Sequence, residues 1–168
     1  MRLLDKFLSY FSDIGLAAAL IQKKESISDE ELRTTFTIQQ VLVLTIVVAA
    51  FVLSGTIASF YHLEKEGILL FQALIVSFFL SSLKTIPSII LERNLRFEKL
   101  VVPQIVETLF FSLTAVVLAY NGFGITSFTI AVLARGVSGV IAIYIISPWR
   151  IGFGFAKEST KKLLSFGI

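Results

Sequence analysis

The sequence has no cysteine in its 168 residues. That excludes a disulfide framework, thiol chemistry and a cysteine metal site. Its single histidine, His62, rules out a histidine cluster for zinc or haem built from this chain alone. Charge is scarce: Asp, Glu, Lys and Arg make up 16% of the residues, against roughly 25% in soluble domains. No polar stretch is long enough to hold a soluble catalytic domain. There is no GxSxG, no P-loop and no paired acidic motif of the kind that holds magnesium and a diphosphate. These absences argue against an enzyme and imply no cofactor and no metal. A membrane transferase acting on a polyprenyl phosphate would need such carboxylates for its metal. The net charge of +3 is modest and implies no nucleic-acid partner. In so apolar a chain, basic residues first report orientation.

What is present is apolar. Hydrophobic residues reach 55%, with sixteen phenylalanines, and the mean hydropathy is +0.85. The fold class implied is an all-α integral membrane protein. A crossing helix needs about 20 mostly apolar residues. Residues 34–61 carry no charge and form the clearest span. Residues 67–91 form another, interrupted by Lys84 and by Pro87, which is expected to kink or end the helix. The charge-free run 108–134 contains Asn121-Gly122-Phe123-Gly124, a turn signature that divides it into a helical hairpin. Its arms are expected at 101–120 and 125–147. A weaker span covers 6–22 and contains Asp13 and Gly15. The start does not read as a signal peptide, because Asp13 interrupts the apolar region and Gln22-Lys23-Lys24 follows it. The expectation is thus about five transmembrane helices within a bundle at 1–156. Residues 157–168 then form an amphipathic segment suited to the membrane surface or to the start of a further helix.

Lys and Arg in the connections set the orientation. Lys23, Lys24 and Arg33 follow the first span, Arg93, Arg96 and Lys99 the third, and Arg150, Lys157, Lys161 and Lys162 the last. The opposite side carries Lys65 in its connections, with Arg2 and Lys6 beside Met1. Basic loops 22–33, 92–99 and 148–162 are therefore expected in the cytoplasm, in a cytoplasmic (inner) membrane. The placement of Met1 outside, with two basic neighbours, would be relieved by a preceding helix.

Each span carries small residues four apart, such as Ala50, Ser54 and Ala58, or Ala134, Ser138 and Ala142. Such faces let helices approach closely in lipid, or line a polar cavity. Arg135 lies deep in its span, where an arginine costs roughly 2.5–3.5 kcal/mol on insertion scales. Glu107 is its expected partner across the hairpin. Glu107 lies about 21 Å before the turn and Arg135 about 16 Å after it, a mismatch an arginine side chain spans. The pair is either purely structural or handles substrate or an ion. Lys84 shares a helical face with Ser77, Ser81 and Ser88; it either snorkels to the interface or lines a cavity for an anionic headgroup. Asp13 either pairs locally with Lys6 or is a protonatable, ion-coupled carboxylate. His62 is expected at a solvated helix end.

Four stretches share a further likeness. They are Phe11-Ser12-Asp13-Ile14-Gly15-Leu16-Ala17-Ala18-Ala19-Leu20-Ile21-Gln22-Lys23-Lys24-Glu25, then Ile86-Pro87-Ser88-Ile89-Ile90-Leu91-Glu92-Arg93-Asn94-Leu95-Arg96-Phe97, then Leu118-Ala119-Tyr120-Asn121-Gly122-Phe123-Gly124, and Pro148-Trp149-Arg150 with Phe155 and Leu164-Ser165-Phe166-Gly167. In order, spacing and helix pattern the chain resembles the Wzx-type oligosaccharide flippases of the multidrug/oligosaccharidyl-lipid/polysaccharide exporter superfamily. The resemblance implies a transporter that flips polyprenyl-diphosphate-linked oligosaccharide for polysaccharide or lipopolysaccharide biosynthesis. It implies a polar, often cationic cavity between two lobes, and alternating access needing both. Arg135 and Lys84 would then contact the substrate's anionic groups, with Glu107 and Asp13 as charge partners or ion-coupling carboxylates. The match runs over helices two to six and the start of helix seven, so most of an N-terminal lobe is expected, with a second lobe in the same or a companion chain. Membrane lipids are the other implied partner. A rival reading is a small membrane scaffold or a subunit of a membrane complex.

Overall fold

The structure, a computed structural model, describes residues 27–154. The expected span 6–22 with Asp13 and the segment 157–168 lie outside the described residues. Among the described residues the fold is all-helical. The helices are α1 (Asp29–Phe60), α2 (Lys65–Leu83), α3 (Thr85–Arg93), α4 (Phe97–Tyr120) and α5 (Thr126–Ile146). Among the described residues four segments are long and apolar enough to cross a membrane, α2 and α3 counting as one.

Helix boundaries follow their caps. The apolar run predicts a start at residue 34, but α1 begins at Asp29. Ser28 and Glu31 form a capping box: the Ser28 hydroxyl accepts from the Glu31 N–H at 3.2 Å, and the Glu31 carboxylate accepts from the Ser28 N–H at 3.0 Å. Asp29, Glu30 and Glu31 add negative charge to the first turn, where the helix dipole favours it. The end of the expected loop 22–33 is therefore helix. At the hairpin, Gly122 has φ 83°. The Phe123 N–H reaches back to the Leu118 carbonyl at 3.1 Å and the Gly122 N–H to Ala119 at 3.0 Å, closing α4. The same double closure ends α1 at His62 and α3 at Leu95, each with φ just above 50°.

The expected helix 67–91 is two helices. The interruption falls at Lys84, ahead of Pro87, which sits buried in the first turn of α3. A first turn tolerates proline; the ladder behind it does not. Pro87 has no N–H for the Leu83 carbonyl four residues back, and its ring crowds that oxygen. The Lys84 N–H turns to the Ser81 carbonyl at 3.1 Å instead. The Leu83 carbonyl is taken by the Tyr144 hydroxyl of α5, which donates to it at 3.1 Å.

Packing runs from α1 to α2, from α2 to α5, and from α5 to α4, with the hairpin contact the most extensive. Gly136 of α5 sits against Leu80, so close that a Cβ there would lie 2.8 Å from its Cδ1. Among the described residues a buried apolar cluster joins the start of α1 to α3 through Leu32, Phe36, Ile86 and Ile89. The segment after α5 closes over it. Trp149 meets Phe36 edge-on at 5.2 Å, and the Gly154 N–H donates to Thr37 Oγ1 at 3.1 Å. Between α1 and the α2–α3 junction the contact is polar: Gln39 donates to Thr85 at 2.7 Å and Gln40 to Ser82 at 3.1 Å. The outer faces, such as Val41, Leu44, Val48 and Val52 of α1, are apolar and uncovered, as a bilayer-facing surface requires.

Replacing Tyr144 by Phe leaves the Leu83 carbonyl without its donor and is expected to cost about 1–2 kcal/mol. In a Pro87→Ala background residue 87 regains an N–H, and the same replacement is expected to cost only a few tenths, ~0.3 kcal/mol. Reversible unfolding of the detergent-solubilised protein measures both; equal costs in the two backgrounds would contradict the account.

Candidate functional site

A carboxylate on a membrane helix needs charge or hydrogen bonds within reach. Glu107 lies in the middle third of α4, and its side chain is 10% exposed. Each of its oxygens holds a different cation. Lys84 Nζ donates to Oε1, and Arg135 Nε approaches Oε2 at 3.4 Å. Lys84 comes from the α2–α3 junction and Arg135 from the middle of α5, so one carboxylate ties three parts of the chain together. Arg135 lies against Glu107, as the hairpin register implies. Lys84 does not extend away along its helix toward an interface; it turns to the same carboxylate.

The seat for that carboxylate is Gly139, one turn beyond Arg135. A Cβ at Gly139 would lie 2.6 Å from Glu107 Cδ and 2.7 Å from Cγ. A side chain there would displace the glutamate, which lies against the backbone of α5.

The two cations are unequally covered. The Lys84 side chain is 19% exposed and that of Arg135 is 55% exposed. Among the described residues, Arg135 engages protein only through Nε, leaving both terminal nitrogens open. Arg135 lines a cavity of about 470 Å³ together with Lys84, Ser88, Glu92, Gln104, Thr108 and Glu107, with Leu100, Pro103 and Ile143 as apolar wall. An open guanidinium fork beside an ammonium, with hydroxyl and amide donors around it, is suited to an oxyanion. Among the described residues no group of three or more His, Cys, Asp or Glu side chains is arranged to hold a metal ion.

The structure thus gathers Arg135, Lys84 and Glu107 into one site, while Asp13 lies outside the described residues. Of the serines expected beside Lys84, Ser88 lines the cavity; Ser77 lies against α5 near Gly136, and Ser81 is exposed. His62 is exposed at the end of α1. Gln104 and Thr108, four apart on α4, and Glu92 on α3 were not legible as lining residues. Gly139 stands beside the small face of Ala134, Ser138 and Ala142 in the sequence and has no other signal. Nothing in spacing distinguishes a glycine that packs against a helix from one that seats a carboxylate.

Double-mutant cycles with Glu107→Gln, Lys84→Gln and Arg135→Gln resolve the two pairings. The covered Lys84–Glu107 pair is expected to show a coupling of about 1.5–3 kcal/mol. The exposed Arg135–Glu107 pair, screened by solvent, is expected to stay below ~1 kcal/mol. Unfolding free energies measure both, and a larger coupling for Arg135 would contradict the geometry.

No curated protein and no solved structure matches the chain. One family model does, that described as polysaccharide biosynthesis protein, and it matches residues 2–168. The chain, with several apolar membrane-length helices, therefore belongs to the polysaccharide biosynthesis protein family.

Proposed function

We propose that the chain forms most of one lobe of a Wzx-type flippase, which moves polyprenyl-diphosphate-linked oligosaccharide across the cytoplasmic membrane. The observation that carries this reading is the cavity at Glu107, where the open Arg135 fork and Lys84 converge. Family membership supplies the polysaccharide context. The four stretches that resemble oligosaccharide flippases supply the transport step. In this reading Arg135 and Lys84 hold the diphosphate or acidic sugar groups, and the second lobe, in the same or a companion chain, closes the cavity from the other side. Glu107 holds the two cations in position between substrates. The chain acts as a transporter and not as an enzyme. The basic loops lie in the cytoplasm and the Asn121–Gly124 turn lies outside.

Two experiments test this. Since the chain has no cysteine, a single cysteine in place of Phe123 is expected to react with an impermeant maleimide from outside, and one in place of Asn94 only after permeabilisation. The reverse pattern would overturn the orientation. In cells lacking their own flippase, the full-length transporter carrying Arg135→Ala or Lys84→Ala is expected to lose roughly tenfold in polymer export, the worth of one charge-assisted contact. Normal export by both variants would remove these residues from substrate binding.

A further inference from the structure

The anion that Lys84 and Arg135 are built to hold is, in this structure, already supplied by the protein. Glu107 presents one oxygen to each cation. Its position is not incidental, because Gly139 leaves room for the carboxylate where any side chain would displace it. The two contacts differ in a way that matters for exchange. Lys84 is largely covered, whereas Arg135, 55% exposed, touches Glu107 through Nε alone at 3.4 Å and lines the cavity with its terminal nitrogens unengaged among the described residues. An incoming oxyanion can therefore engage the Arg135 fork before Glu107 has moved.

We infer that Glu107 is an internal competitor for the site, a built-in carboxylate that occupies the two cations and is displaced from them by a phosphate-type oxyanion. This rests on the reading of the cavity as an anion site and adds its regulation. The oxyanion first takes the terminal nitrogens of Arg135. Full engagement then requires Lys84 to exchange the Glu107 oxygen for a ligand oxygen. Glu107 leaves its place at Gly139, and the link it makes between the α2–α3 junction, α4 and α5 opens. Ligand arrival and loosening of the three elements are thereby one event. Without the internal anion, Lys84, whose side chain is 19% exposed, would lose the carboxylate that pairs with it, and a largely covered charge without a partner is expensive. With it, a ligand must outcompete a tethered carboxylate, so weak anions are rejected.

The test measures binding to the full chain in detergent micelles. One arm uses inorganic pyrophosphate and the other a short prenyl diphosphate in the same micelles. Glu107→Gln keeps the side-chain size and removes the competing charge, and is expected to tighten binding roughly tenfold, the worth of one charge-assisted hydrogen bond. Gly139→Ala reaches the same end with Glu107 intact, by filling its seat, and decides the matter should the first variant fold poorly. A gain in the pyrophosphate arm identifies the oxyanion itself as the displacing group; a gain confined to the prenyl arm identifies a lipid-borne diphosphate. Unchanged or weaker binding in both folded variants and both arms, with binding that still depends on Arg135, overturns the inference and leaves the anion site standing. Binding indifferent to both Arg135→Gln and Lys84→Gln overturns the anion site, and the competitor with it.

Discussion

Glu107 is the constraint around which the described bundle is arranged. A carboxylate set in the body of a membrane helix is tolerable only where opposite charge reaches it. Two cations reach this one from two directions. The consequences extend into the backbone. Glycine at position 139 leaves the carboxylate the volume that a side chain there would fill. α4 and α5 must keep their register, since a slip of one turn would move Arg135 about 5.4 Å along the axis and separate the pair. Lys84 must be presented at a junction between helices, where its side chain reaches across to α4.

That junction has its own cause. Pro87 prevents α2 from running on, and the orphaned Leu83 carbonyl is satisfied by Tyr144 from α5. The helix that carries Arg135 and Gly139 therefore also stabilises the interruption that carries Lys84. Site and fold share residues at this point, and the third span is discontinuous next to the cavity. Discontinuous helices beside a polar cavity are a recurrent arrangement in transporters. The apolar cluster around Phe36, closed by Trp149, anchors the same end of the bundle. It holds α3 in place while the membrane-level faces of α1 and α4 stay apolar and uncovered.

Much of this was legible in the residues. The hairpin could be read from Asn121-Gly122-Phe123-Gly124, since glycine is the natural residue for the left-handed position that closes a helix. The pairing of Glu107 with Arg135 could be read from their nearly equal distances to that turn. The break near Pro87 was readable in kind but not in place, because proline disrupts the residues before it and fits comfortably in the turn it begins. The break between α3 and α4 was readable from the basic loop expected at 92–99, but its form was not: a leucine with positive φ gives no sequence signal. The start of α1 was misplaced because hydropathy marks where a helix becomes apolar, while the Ser28–Glu31 box marks where it begins. The meeting of Lys84 with Glu107 was also hidden. It depends on how α2 and α3 lie against α4, a tertiary relation with no periodicity to reveal it.

Whether Glu107 rests on Gly139 in the α4–α5 hairpin is decided by placing cysteines at both positions in this cysteine-free chain. The Cβ site at Gly139 lies 2.7 Å from Glu107 Cγ, one bond from its Cβ, so the two Cβ atoms lie within about 4.2 Å, inside the reach of a disulfide. Mild oxidation of the Glu107→Cys/Gly139→Cys protein in its membrane should yield an intramolecular disulfide, read as protection of both thiols from maleimide until reduction. Full labelling of both thiols after oxidation would mean that the hairpin has another register, and that the charge cluster described here does not form.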